Sequence, residues 1–200
     1  MDGVLVDSLS CMTAAWSDVQ VMFNLSQSFS AYQQHIGKPF EMIMLEIGIE
    51  ADVHKIKSYY VKQTEIYSGM INPYYDVLSI FSRLQSKYIS GIITSKPRVR
   101  AEQIVNYYNI RPDFLITPDD CSRGKPHPDP LLMANERFSV RPEHSLYIGD
   151  MSSDLEAASC AGWQFVHAAW GYEPQVDCEE FGRKCFKPSE LTNISLFNLK

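Results

Sequence analysis

From Pro73 to Trp170 the chain alternates helix-patterned segments with short apolar, β-branched runs, and this alternation constrains the fold more than any other feature. DVLSIFSRLQSK, RVRAEQIVNYYNI, DPLLMANERF and DLEAASCAG have helical spacing, and Gly162 ends the last of them. YISGIITSK, DFLITP, HSLYIGD and WQFVHAAW read as buried strands. A helix between successive strands returns the chain to the same edge, so the strands run parallel and helices cover both faces. The predicted core is therefore α/β, built on a parallel sheet.

Ahead of this region the pattern is helical throughout. TAAWSDVQVMF, SAYQQH, EMIMLEI and ADVHKIKSYYVKQTEIY are separated by short polar breaks such as NLSQS and IGKPF. In the last segment Val53, Ile56, Tyr60 and Tyr67 fall near one face. The expected organisation is a core domain over residues 1–11 and 73–200, with a small helical domain over 12–72 inserted near its start.

Composition narrows the function classes. A chain of 200 residues with 45% hydrophobic and 21% charged content can bury a sizeable core. No run approaches the roughly eighteen apolar residues of a membrane span, and an acid stands near the N-terminus where a signal peptide carries base, so the expected location is the cytoplasm. Cys11, Cys121, Cys160, Cys178 and Cys185 are scattered and form no C-x-x-C pair, which argues against a disulfide framework or a thiolate zinc site. A net charge of −6 without a basic block argues against nucleic acid as a partner. No repeat or low-complexity segment is apparent.

In a parallel α/β fold the site lies at the carboxyl ends of the strands. Reading outward from each predicted strand gives Thr94-Ser95 after GII and Gly149-Asp150 with Asp154 after LYI. The loop GKPHPDP, with Lys125, follows the DFLITP strand. Taken singly these fragments read as helix caps and solvated turns. In order, however, D-G-V-L-V-D-S, I-I-T-S-K-P, G-K-P-H-P-D-P and I-G-D-M-S-S-D resemble the four motifs of the haloacid dehalogenase-like (HAD) hydrolase superfamily. The resemblance extends over nearly the whole chain. It implies a Rossmann-like core and makes the helical insertion a small cap domain, as in the phosphoglycolate phosphatases and β-phosphoglucomutases.

That resemblance also implies a chemistry. Breaking a phosphate ester needs a nucleophile in line with the leaving oxygen, a proton donor for that oxygen, and positive charge around the phosphoryl group. Asp2 corresponds to the general acid and base, and its main-chain carbonyl to a Mg²⁺ ligand. Thr94 and the Ser95 N–H correspond to phosphoryl-oxygen donors, and Lys125 to the cation that neutralises phosphoryl charge. Asp150 corresponds to a direct Mg²⁺ ligand, with Asp154 binding the ion or orienting its surroundings. The simpler reading of Asp154 is a first-turn helix acid favoured by the dipole. Gly37-Lys38 resembles a substrate-specificity loop, which would bring Lys38 to the far end of the substrate.

Other positions have structural readings. Asp7-Ser8 are expected to cap the first helix, Lys96 to be solvated, His127 to be a loop residue between prolines, and Met12, Trp16 and Tyr32 to pack within the helical domain. The family's first motif is D-x-D, and Asp2 matches its second acid. The nucleophile and the central strand that carries it would then stand ahead of Met1, so the chain from Met1 is expected to have little covalent phosphatase activity.

The expected function is a Mg²⁺-dependent phosphatase of small phosphorylated metabolites. Two alternatives are a non-catalytic phosphate-binding module of the same fold and a phosphoglucomutase-type phosphotransferase. The mutase reading is disfavoured because SLSCMTAAW offers Met12 where those enzymes commonly carry a His near the hinge.

Overall fold

A computed structural model describes residues 1–173, 175–178 and 182–193. In chain order the elements are β1 (Val6–Asp7), α1 (Leu9–Phe23), α2 (Phe29–Gln33), α3 (Phe40–Glu46), α4 (Val53–Ile66), β2 (Asn72–Pro73) and α5 (Tyr75–Gln85). There follow β3 (Ile92–Ile93), α6 (Arg98–Tyr107), β4 (Leu115–Ile116), α7 (Asp129–Phe138), β5 (Leu146–Gly149), α8 (Ser152–Ala161), β6 (Gln164–Ala168) and β7 (Gly182–Cys185). The chain divides into two compact units, Met1–Val6 with Pro73–Lys200, and Asp7–Asn72.

The first unit is the α/β core. Besides the short β1-β2 pair, its strands fall into two sheets, β3-β4 and β5-β6-β7, each parallel as the alternation predicts. On one face α7 and α8 cover Ile93, Ile116, Tyr147 and Phe165 with Leu131, Ala134, Ala157 and Ala158. The small alanines of α8 let that helix lie close on the strands. Phe114 stacks on Phe138 with ring centroids 4.5 Å apart, which ties β4 to the end of α7. On the other face Ile80 of α5 packs with Val166, Cys185 and Leu191. Gly162 ends α8 at φ +73, a left-handed conformation that a residue without Cβ adopts at little cost. β7, with the sequence GRKC, was not expected from the sequence. It pairs with β6 through backbone bonds that its charged residues do not advertise.

The second unit is helical. Asp7, rather than Ser8, caps α1: its Oδ1 accepts the Leu9 N–H at 3.0 Å, while the Ser8 side chain makes no cap bond. Trp16 is fully buried, packs against Tyr32 with ring centroids 4.8 Å apart and the planes tilted by 34°, and donates Nε1–H to the Gln27 carbonyl at 2.9 Å. Tyr60 of α4 lies 5.5 Å from Tyr32. Met12, Trp16 and Tyr32 are thus packing residues, as expected. Tyr67 donates to Asp18 at 2.9 Å, which joins the end of α4 to α1.

Candidate active site

Each polar residue of the site follows from the end of a strand. The Thr94 N–H donates to the Ile116 carbonyl at 3.0 Å and so extends the β3-β4 ladder by one step. That fixes the turn in which Thr94 Oγ1 accepts the Lys96 N–H at 3.2 Å, leaving the hydroxyl proton to point elsewhere. Thr94 is buried and Ser95 half-buried.

The densest arrangement stands at the end of β5. Lys125, Asp150 and Asp154 are 6%, 2% and 3% exposed. Lys125 Nζ pairs with Asp154 Oδ1 and donates to the Tyr147 hydroxyl at 3.2 Å. Asp154 Oδ2 accepts the N–H groups of Asp150 at 3.1 Å and Met151 at 3.2 Å, so the same carboxylate closes the first turn of α8. The helix-start reading of Asp154 is the one these bonds show. Both its oxygens are committed to partners.

Burial and charge set the protonation states. Burial works against the Asp154 anion, but the Lys125 charge and hydrogen bond overcome it and hold this carboxyl below the usual range. Burial likewise works against the Lys125 ammonium, and Asp154 and Tyr147 overcome it, keeping the ammonium firmly protonated. No cation is described in a hydrogen bond to Asp150, and the charges of the Met1 ammonium and Lys125 only partly offset its burial. Burial first, and the neighbouring Asp154 charge second, push it up to about 7. Its Oδ2 accepts the Tyr172 N–H at 2.9 Å.

Two glycines make room for these carboxylates. A Cβ on Gly149 would stand 2.6 Å from Asp154 Cγ, and one on Gly171 would stand 2.6 Å from Asp150 Oδ2 and from the Gly3 carbonyl. Both are closer than real Cβ contacts.

Asp2 is 3.2 Å from Lys96 Nζ through Oδ1, with side chains 14% and 10% exposed. The expectation that Lys96 is solvated is therefore corrected. Its charge is turned inward on Asp2, because the turn held by Thr94 carries the lysine back over the strand end. Lys38 pairs with Glu46 at 3.1 Å at the surface of the helical unit, beside Gly37 at φ +98. His127 is a loop residue whose N–H donates to the Gly124 carbonyl at 3.1 Å.

Three contributors escaped the sequence reading. The Tyr147 hydroxyl accepts from Lys125 Nζ and stands with its one proton between Asp154 Oδ1 and the Ile93 carbonyl, all three contacts at 3.2 Å. Its signal was parity: it lies two residues before Gly149, on the same buried side of β5. Lys96 is the second. Glu173 is the third, and its Oε2 accepts the Ser152 N–H at 2.7 Å at the start of α8.

No group of three or more His, Cys, Asp or Glu side chains is placed to hold a metal among the described residues. Mg²⁺, however, is commonly held by one or two carboxylates with waters completing the shell. Asp150 fits that demand, since it is a buried hard-oxygen donor whose described hydrogen bond is from the Tyr172 N–H to Oδ2. Asp154, fully engaged by Lys125, Tyr147 and the α8 backbone, fits an orienting role instead.

The sequence profile of the haloacid dehalogenase-like hydrolases matches residues 1–168. Pyrophosphatase PpaX of Oceanobacillus iheyensis is 26% identical over 173 residues, covering 85% of this chain and 81% of that protein. Phosphoglycolate phosphatase of Escherichia coli K12 is 35% identical over 103 residues, covering 48% of this chain and 39% of that protein, so this chain aligns with well under half of it. Among solved structures, a candidate phosphoglycolate phosphatase from Lactobacillus plantarum matches with a TM-score of 0.88 at 30% identity, over 98% of this chain and 96% of that one. A haloacid dehalogenase-like hydrolase from Bacteroides fragilis matches in fold, with a TM-score of 0.83 at 24% identity, over 95% and 96% of the two chains.

Proposed function

The chain belongs to the haloacid dehalogenase-like hydrolase family, and from that premise we propose that it serves a Mg²⁺-dependent phosphatase acting on small phosphorylated metabolites. The observation that carries this reading is the opposition of Lys125 and Asp150 at the end of β5. Lys125 is a buried cation held on Asp154, and Asp150 is a buried carboxylate whose own N–H is held by the same Asp154. A phosphoryl group needs the first, and the ion that accompanies it needs the second. The names of the relatives, a pyrophosphatase and a phosphoglycolate phosphatase, support phosphate chemistry.

In this reading Asp150 and the Asp2 main-chain carbonyl hold Mg²⁺, which when bound supplies charge neutralisation at the phosphoryl oxygens. The Thr94 hydroxyl and the Ser95 N–H donate to those oxygens. Lys125, with one N–H on Asp154 and one on Tyr147, turns its third toward them. Asp154 fixes the Lys125 ammonium and the start of α8 in one geometry.

The proposed reaction has two displacements. In the family the nucleophile is a carboxylate two residues before the acid to which Asp2 corresponds, and it attacks phosphorus. The bond from phosphorus to the leaving oxygen breaks, and that oxygen takes a proton from the Asp2 carboxyl. Water then attacks the same phosphorus and gives its proton to the Asp2 carboxylate, releasing phosphate and the first carboxylate. Lys96, 3.2 Å from Asp2 Oδ1, fixes where that carboxyl stands. Lys38 and Gly37 are proposed to meet the far end of the substrate. The proposed setting is the cytoplasm, with no nucleic-acid or membrane partner. Among the described residues no helix is long and apolar enough to cross a membrane, and no disulfide forms.

Calorimetric titration of the 200-residue chain with orthophosphate tests the binding half of this reading. Phosphate is expected to bind when Mg²⁺ is present, and to bind more weakly in Asp150→Asn and Lys125→Met. Binding that is indifferent to Mg²⁺ and to both substitutions would overturn it.

A further inference from the structure

On β6 the side chain of His167 is fully closed to solvent. By the alternation of a strand it shares a face with Phe165, which packs with Ala157 and Ala158 of α8. In the parallel register His167 is level with Gly149 of β5, so it stands beside the strand end from which Asp150 follows. A buried imidazole costs free energy unless its polar atoms find partners. Its Nε2 lies 2.8 Å from the Glu173 carbonyl, and a carbonyl only accepts, so Nε2 carries the proton and donates it.

That hydrogen bond ties down a short strap, residues 169–173, which leaves β6 and turns back toward Asp150. The Ala169 N–H donates to the Cys185 carbonyl of β7 at 2.9 Å, and the Gly171 N–H turns back to the Ala168 carbonyl at 3.0 Å. The Tyr172 N–H then reaches Asp150 Oδ2 at 2.9 Å. Glu173, the next residue, is held twice. Its carbonyl takes the His167 proton, and its Oε2 takes the N–H of Ser152, the first residue of α8, at 2.7 Å. The donor that fixes the Asp150 carboxylate thus sits between a turn anchored on β7 and a residue anchored on β6 and α8. Among the described bonds only Oδ2 of Asp150 is engaged, which leaves Oδ1 to an ion.

We propose that His167 is a positioning residue for the Mg²⁺ site: through the Glu173 carbonyl it sets the strap so that the Tyr172 N–H holds one oxygen of Asp150 and leaves the other to the ion. This rests on the Mg²⁺ reading above. His167 touches neither the ion nor the phosphoryl group, and its effect runs through the backbone of residues 172 and 173. The Glu173 side chain is a second anchor, which ties the strap to the helix start that Asp154 closes. An apolar side chain at 167 would fill the same space but leave the Glu173 carbonyl without its donor. Asp150 would then lose its fixed angle, and Mg²⁺ tolerates little departure from octahedral geometry.

The test compares the 200-residue chain with point variants of it. His167→Leu fills the place without a donor, His167→Asn carries an amide only as far as the Nδ1 place, and His167→Gln carries one out to the Nε2 place. Glu173→Ala keeps the backbone carbonyl and loses the anchor on α8. Amide exchange without metal is followed by NMR at Tyr172 and Ser152, with Ile110, whose N–H bonds the Val105 carbonyl, as the reference. Mg²⁺ affinity is read from the shift of the Tyr172 amide on titration with Mg²⁺ alone. In His167→Leu and His167→Asn, Tyr172 exchange is expected to rise, and Mg²⁺ affinity to fall, by about tenfold each, with Ile110 unchanged. His167→Gln should stay within about threefold of the parent in both. Glu173→Ala should speed exchange at Ser152 and leave Tyr172 protected. Equal Tyr172 protection and Mg²⁺ affinity in the parent and all three His167 variants, a loss shared by Ile110, or His167→Gln falling as far as His167→Leu would overturn the role of His167. A parent chain that binds no Mg²⁺ would instead contradict the Mg²⁺ reading on which that role rests.

Discussion

The Lys96 ammonium stands 3.2 Å from Asp2 Oδ1, with both side chains largely closed off from solvent. This pair makes Lys96 a positioning residue for the proposed acid and base. In a form that turns over, Lys96→Met is expected to lower kcat by about tenfold with little change in KM, because the Asp2 carboxyl loses its fixed orientation. Lys96→Arg should retain most of the activity. Steady-state kinetics on alkyl and aryl phosphates checks this, and the loss should be larger on the alkyl ester, whose leaving oxygen depends more on a proton donor.

Removing one partner of the Lys125–Asp154 pair leaves an uncompensated buried charge. Lys125→Met and Asp154→Leu should each cost about 3–5 kcal/mol by urea denaturation. The double variant is expected to cost less than the two single costs added together, since it strands neither charge.

Asp150 is pushed up to about 7 from 3.8 by burial and by Asp154. A carboxyl raised on folding contributes its stability below its unfolded pKa and loses it as pH rises through the folded value. Without divalent cation, stability should therefore fall between about pH 4 and 7, apart from the opposite contribution of Asp154 at lower pH. Mg²⁺ should raise Tm more at pH 8 than at pH 5. Asp150→Asn should flatten the decline and abolish the Mg²⁺ effect, as thermal scans across pH would show.

Gly149→Ala places a methyl group against Asp154. The expected cost is about 1–3 kcal/mol, with weaker Mg²⁺-dependent phosphate binding because the carboxylate that holds Lys125 is displaced. Thermal unfolding and calorimetry read the two effects separately.

Sequence legibility follows the range of the forces involved. DPLLMANERF coincides with α7 residue for residue, and Gly162 does end α8, because local propensity and a left-handed cap decide both. β3 is two residues long where YISGIITSK suggested a longer strand, since backbone pairing with a partner decides a strand's extent. β7 was missed for the same reason: GRKC has no strand pattern, and its pairing with β6 makes it one. At the site, Thr94, Lys125, Asp150 and Asp154 stood out only as an ordered set of motifs after successive strands, since each alone reads as a cap or a turn. Lys96 was misread because its partner lies 94 residues away, where periodicity carries no information. Tyr147 was passed over because an aromatic residue in an apolar run looks like core until its hydroxyl must find partners.

The most direct test of the phosphatase reading is phosphate release from an aryl phosphate, with and without Mg²⁺. The 200-residue chain is compared with the same chain extended by an apolar strand that places Asp two residues before Asp2. Release by the extended form alone, and only with Mg²⁺, is the predicted result. Equal release by both forms, or no release by the extended form from aryl, pyrophosphate and phosphoglycolate substrates alike, would contradict it.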